Sequence, residues 1–224
     1  MVDNLALPPR SSLGDEVYEK LFNEIITLRF PPGERLSIDE LVRLMRVSQT
    51  PIRAALIRLE VEGLVEKKHN TGYRVTSVHS AERFRDIYEI RLLLEPAAAA
   101  RVAQFATQEQ KQFCAKLHDD LSKLVASDTD ATYSKFALDD RKFHDALARS
   151  CGNALIAETL GRLHTHMHLF RLGKQANVTT DAVKEHQVII EAILAGDAVK
   201  AKDAMVRHIE TSRDRMRPYY EKAH

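Results

Sequence analysis

Val47-Ser48-Gln49-Thr50-Pro51-Ile52-Arg53-Ala54-Ala55-Leu56-Ile57-Arg58-Leu59-Glu60-Val61-Glu62-Gly63-Leu64-Val65 packs a capped, basic helix and the first residues of a hairpin into one short stretch. Ser48 suits an N-cap, and Pro51 falls in the first turn, where a missing N–H has no helical bond to lose. Ile52, Leu56 and Leu59 return at helical spacing as a stripe to be buried, leaving Gln49, Thr50, Arg53 and Arg58 on other faces. Gly63 ends the helix, Leu64 and Val65 start a strand, and Asn70-Thr71-Gly72 turns the chain into Tyr73-Arg74-Val75, a two-stranded wing. A helix followed by a basic hairpin suits a DNA groove and its flanking phosphates.

Upstream, helical spacing over 13–29 places Val17, Leu21, Ile25 and Leu28 on one stripe, and Phe30-Pro31-Pro32-Gly33 stops the helix. Ser37-Ile38-Asp39-Glu40 has the form of a capping box and opens a short second helix. Three helices and a wing thus fill 1–75 as a winged helix-turn-helix. The formal net charge of the whole chain is only +1, yet between Leu41 and Arg74 seven basic residues face three acidic ones. The positive charge sits on the reading head.

The chain is long enough, at 224 residues with 44% hydrophobic and 29% charged, for two modest cores. No run of about 18 apolar residues occurs, and Met1-Val2-Asp3-Asn4-Leu5 lacks a basic segment before an apolar block, so the expectation is a cytoplasmic protein with no membrane partner. Cys114 and Cys151 have no metal or redox spacing and read as two thiols. After a polar connector at 76–80, helical periodicity runs without further strand signals through 81–224. Helices are predicted over 81–94, 96–104, 108–126, 132–150, 154–172, 181–195 and 198–219, with Pro96 kinking one long helix into the first two. Thr107 with Gln110, and Gly196-Asp197, mark boundaries. The fold class is therefore mainly α: a winged helix-turn-helix followed by an all-α antiparallel helical bundle.

The histidines of the second part sort by their surroundings. Asp140 and His144 lie four apart on one helix, on the face that carries Phe136, Phe143 and Leu147. His186 sits among Ala182, Val183, Ile189 and Ile190, and His208 follows Ala204 and Met205. Polar groups on core-facing stripes must be paired. Either each is an isolated, hydrogen-bonded core residue, or the four converge on a divalent cation; three imidazoles and a carboxylate suit Zn²⁺ first, then Ni²⁺ or Mn²⁺. His164, His166 and His168 form a weaker second cluster, while His79, His118 and His224 are expected at the surface.

Both halves together resemble the GntR family of bacterial transcription regulators, in the FadR-like branch with a C-terminal FCD ligand-binding domain. The resemblance rests on Pro32-Gly33-Glu34-Arg35-Leu36, the run 47–65 and Gly72-Tyr73-Arg74-Val75. Behind these come Arg91-Leu92-Leu93-Leu94-Glu95-Pro96, Asp140-Arg141-Lys142-Phe143-His144, Glu185-His186, Gly196-Asp197 and His208-Ile209. It implies that Asp140, His144, His186 and His208 hold a metal beneath a pocket for a small acid. This chain departs from the family with Gln49 where Arg is usual, Ala54 where Glu is usual, and Arg46 where Gly is usual. Arg reads guanine bidentately and Gln prefers adenine, so a different operator is expected.

The reading is a homodimeric regulator, most simply a repressor and not an enzyme, that binds a pseudo-palindromic double-stranded operator and is released by a small carboxylate or hydroxy-acid. The expected DNA contacts are Arg46, Ser48, Gln49, Thr50 and Arg53 at the helix, with His69, Asn70, Thr71 and Gly72 on the wing. Arg91 is the expected second anchor for the acid; the alternative for it is an ion pair with Glu95 one turn on. Rival readings are a DNA-binding protein with a purely structural metal, and a metal-dependent hydrolase. The hydrolase is disfavoured because no H-E-x-x-H element supplies a water-activating base.

Overall fold

A computed structural model describes residues 12–69, 72–125, 130–163, 169–171 and 178–222, and its contacts divide the chain into two compact units that part between Ser77 and Val78. In the first unit α1 (Leu13–Ile26) opens on a capping box in which Asp15 N–H donates to Ser12 Oγ and Ser12 N–H to Asp15 Oδ2. Its buried stripe of Val17, Tyr18, Leu21, Phe22, Ile25 and Ile26 packs on Ile52, Ala55, Leu56 and Leu59 of α3 (Gln49–Val61). Leu28, predicted on that stripe, is exposed: α1 stops at Ile26 and Leu28 takes φ 59°, which turns the chain away from the core.

The short α2 (Ile38–Met45) precedes α3. Ser37 and Ser48 occupy the two N-cap positions, but neither side chain makes the capping bond the sequence suggested. Each missing bond forgoes about 1 kcal/mol, whereas each fully buried Ile or Leu of α3 contributes about 1.5–3 kcal/mol. Packing, not capping, holds the recognition helix in place. At its far end Gly63 (φ 72°) donates to Glu60 O and Leu64 to Leu59 O, a Schellman turn that delivers Leu64 into the core and the chain into β2.

The wing is a three-stranded antiparallel sheet rather than the expected two, with β3 (Gly72–Val75) between β1 (Arg35–Leu36) and β2 (Val65–Lys68). Two residues are too few for alternation to register, so β1 could not be read from sequence. Thr76, placed in the connector, closes the sheet: its N–H donates to Leu64 O and its hydroxyl to Gly63 O.

The second unit contains α4 (Ala81–Phe105), α5 (Gln108–Leu124), α6 (Asp130–Ser150), α7 (Ala154–Leu163), α8 (Val178–Leu194) and α9 (Ala198–Lys222). Ser80 accepts from Arg83 N–H to cap α4, and the Thr107–Gln110 capping box opens α5. The two segments expected on either side of Pro96 belong to one helix: α4 runs through it for 25 residues. A proline removes one helical bond, and the long seam of α4 against α9, with Pro96 buried, outweighs that loss. Gly196 and Asp197 make the tight α8–α9 turn, Asp197 Oδ1 accepting from Lys200 N–H. The predicted helix over 154–172 is seen as far as Leu163; His164, His166 and His168 lie outside the described residues. Among the described residues no helix is long and apolar enough to cross a membrane.

Candidate metal centre and reading head

Three helices converge on one buried point. Asp140 and His144 project from α6 one turn apart, His186 from α8 and His208 from α9, and all four are buried. One ligand atom from each of His144, His186 and His208 lies within 4.8 Å of the others, and Asp140 Oδ1 is 3.7 Å from His186 Nε2. Four donors at about 2.1 Å from a tetrahedral ion stand about 3.4 Å apart, so small side-chain shifts bring the set to ligating distance.

The imidazoles are prepared for that role by residues to which the sequence reading gave no part in supporting the ligands. Glu95 Oε2 is 2.8 Å from His144 Nδ1, and Glu185 Oε2 is 2.8 Å from His208 Nδ1. A carboxylate can only accept, so Nδ1 carries the proton on both rings and the lone pair is on Nε2. Arg91 in turn holds Glu95 (Nε to Oε1 2.5 Å), and Arg215 holds Glu185 through both guanidinium nitrogens. His186 differs: it is fully buried, stacked on Phe143 at 4.3 Å, and neither ring nitrogen has a hydrogen-bond partner among the described residues. An orphaned buried imidazole costs free energy that a bound cation removes.

Electrostatics agree. Burial, reinforced by His208, holds His186 well below its ordinary 6.5. Burial drives His208 down to about 4 despite its bond to Glu185. Burial alone would raise Glu95, but Arg91 and His144 outweigh it and keep the carboxyl well below the usual range. Near neutral pH His186 and His208 are therefore neutral, the form in which an imidazole binds a metal, and Glu95 and Glu185 are held as carboxylates.

Arg91 lines a cavity of about 30 Å³ with Asp140, His208, Ser212 and Arg215, room for about two waters. Its ion pair with Glu95, the alternative reading, is present. His118, expected at the surface, is buried, with Nε2 2.6 Å from Gln187 Oε1. Cys114, His118 and Leu121 form a buried stripe on α5, a spacing that could have revealed it. His79 is half-buried, and His224 lies outside the described residues.

On the first unit Arg46, Ser48, Gln49, Thr50 and Arg53 are all exposed, grouped at the start of α3. Gln49 Nε2 donates to Asp39 Oδ1 at 3.0 Å and Arg53 Nη2 donates to Gln49 Oε1 at 3.2 Å; Asp39 carried no signal in sequence beyond a first-turn acid. Arg46 takes a left-handed conformation at the end of α2 (φ 55°, ψ 40°). Arg58 faces elsewhere, its guanidinium 3.6 Å from the Tyr18 ring centre and bonded to Asp15. On the wing His69 is exposed and Gly72 has φ 88°, with Leu36 O 3.2 Å from where a Cβ would lie, so a side chain there is strained and crowded. Asn70 and Thr71 are outside the described residues.

Residues 13–75 match the gntR family of bacterial regulatory proteins, and residues 86–211 match the FCD domain. An uncharacterized HTH-type transcriptional regulator in an unstable DNA locus of Streptomyces ambofaciens is 31% identical over 196 residues, 87% of this chain and 80% of that one. The HTH-type transcriptional repressor GlaR of Escherichia coli K12 is 29% identical over 202 residues, 87% of this chain and 91% of its own. Among solved structures, E. coli McbR/YncC shares the fold at a TM-score of 0.67 with 18% identity, covering 96% of this chain and 100% of that one. A winged reading head joined to a helical ligand-binding unit, matched over both parts, makes this chain a transcriptional regulator of the GntR family with a C-terminal FCD domain.

Proposed function

We propose that this regulator works in the cytoplasm as a homodimer on a pseudo-palindromic operator, and that a small carboxylate or hydroxy-acid bound at a metal releases it. The observation that carries the reading is the buried trio His144, His186 and His208, two of them backed by carboxylates and the third with no hydrogen-bond partner for either nitrogen among the described residues. Asp140 and the three imidazoles would hold a divalent ion, and a donor set of three nitrogens and one oxygen favours Zn²⁺ over Ni²⁺ or Mn²⁺. When bound, the ion would supply a Lewis acid that takes an anionic oxygen as a fifth ligand, the four-donor set expanding to admit it.

The remaining work falls to the chain. Arg91, Ser212 and Arg215 border the cavity and offer donors to the far end of an acid. Arg91 and Glu95 lie on α4, the helix that follows the connector in sequence, so an acid that draws Arg91 away from Glu95 alters the first helix after the reading head. A difference of about 1–3 kcal/mol between the two conformations suffices for regulation. The name of the GlaR relative supports repression as the sign.

A purely structural metal is the second reading, favoured by a cavity of only about 30 Å³. Calorimetry with a panel of mono-, di- and hydroxy-acids against metal-loaded and chelated protein separates the two. Acid binding that requires the metal and weakens operator binding is expected. An acid that releases DNA and binds equally well after chelation makes the metal structural.

A further inference from the structure

The contacts at the start of the recognition helix point to a residue that sets operator specificity without belonging to that helix. We infer that Asp39 of α2 is a positioning residue that locks the Gln49 side-chain amide in the orientation that reads adenine and rejects guanine. The inference rests on the proposal that Gln49 reads a base.

A glutamine amide has two faces that differ only in which end donates. Here its orientation is fixed by its neighbours' chemistry: the Asp39 carboxylate can only accept, so Gln49 turns Nε2 toward it at 3.0 Å. The Arg53 guanidinium can only donate, so Gln49 turns Oε1 toward it at 3.2 Å. Each bond leaves the amide one N–H and one lone pair. Those are the two groups that adenine N7 and N6 require in the major groove. Guanine shows two acceptors on the same edge, N7 and O6, and an amide whose oxygen is pinned cannot meet both. With Asp39 removed the amide is held at its oxygen alone, by the exposed side chain of Arg53, and can rotate to offer N–H groups instead.

Asp39 also carries a negative charge beside the reading surface, where every other predicted contact on α3 is neutral or basic. That charge opposes phosphate and the acceptor-rich edge of guanine, at some cost in non-specific affinity.

The test is selection from a randomised duplex pool, followed by competition binding on the selected sequence and its single-base variants, with parent, Asp39→Ala, Asp39→Asn and Gln49→Ala. Asp39→Ala is expected to lower the preference for adenine over guanine at the Gln49 position by about tenfold while raising affinity for random DNA. Asp39→Asn keeps an acceptor for Gln49 Nε2 but adds a donor that also suits the flipped amide, so it is expected to retain part of the preference, a partial rescue that a charge effect alone does not give. Melting temperatures identify any variant that has lost its fold. If Gln49→Ala leaves the selected sequence unchanged, the base-reading role of Gln49 fails and the inference with it. If Gln49→Ala changes the sequence but Asp39→Ala does not, or if Asp39→Asn loses as much as Asp39→Ala, the positioning role is wrong.

Discussion

Arg46 and Arg53 look alike in sequence and differ in what the backbone asks of them. Arg46 occupies a left-handed position (φ 55°), which costs a non-glycine residue about 1–2 kcal/mol, and its exposed guanidinium is available to a phosphate. Arg46→Gly is therefore expected to raise the stability of the first unit by about 1 kcal/mol while weakening DNA binding, read from thermal melts and from titrations at several salt concentrations. Arg53 stands in ordinary helical conformation beside Gln49, so Arg53→Ala should leave the melt unchanged and weaken specific binding by about 1–3 kcal/mol; equal affinity for parent and variant at matched salt refutes the contact. His208 has a titration of its own. Its folded value, about 4, lies below its ordinary 6.5, so between those limits the unfolded chain binds more protons and stability falls as the pH drops. For chelated protein that loss is on the order of 3 kcal/mol from pH 7 to pH 4. A flat stability profile across that window in denaturant melts contradicts it.

Individual helices do the positioning. α4 carries Arg91 and Glu95 one turn apart, paired with each other, and Glu95 reaches His144. α8 contributes both His186 and its neighbour Glu185, which crosses to His208 on α9 and is gripped there by Arg215. Removing that carboxylate leaves the ligand in place but frees its ring to turn. Glu185→Gln is thus expected to lower metal affinity by about ten- to a hundredfold with little change in helix content, measured by competition with a chromophoric chelator. Unchanged affinity would mean that α9 alone orients His208. Glu95 suits this test less well, since its loss would leave the buried Arg91 cation uncompensated.

In the second unit as a whole, donors from α6, α8 and α9 tie three helices together, so chelation should lower the melting temperature of that unit and leave the first unit's transition in place; a single unshifted transition would sink the metal reading. The amino-acid sequence by itself determined the order of the helices, the winged reading head and the helical second unit. Those depend on terms that act within about ten residues: the helical spacing of Ile52, Leu56 and Leu59, the turn at Gly63, and the caps at Thr107 and Asp197. It also gave the candidate ligands, because Asp140, His144, His186 and His208 each break an apolar stripe. That the four meet was implied by the family resemblance and not by spacing. Only the tertiary structure decided which groups face one another: Glu95 on His144 across 49 residues, Glu185 on His208, the burial of His118, and Asp39 on Gln49. The physical reason is that a cap or a turn is stabilised by its neighbours in the chain, whereas a partner across helices is chosen by how whole faces pack, and no local term records that choice.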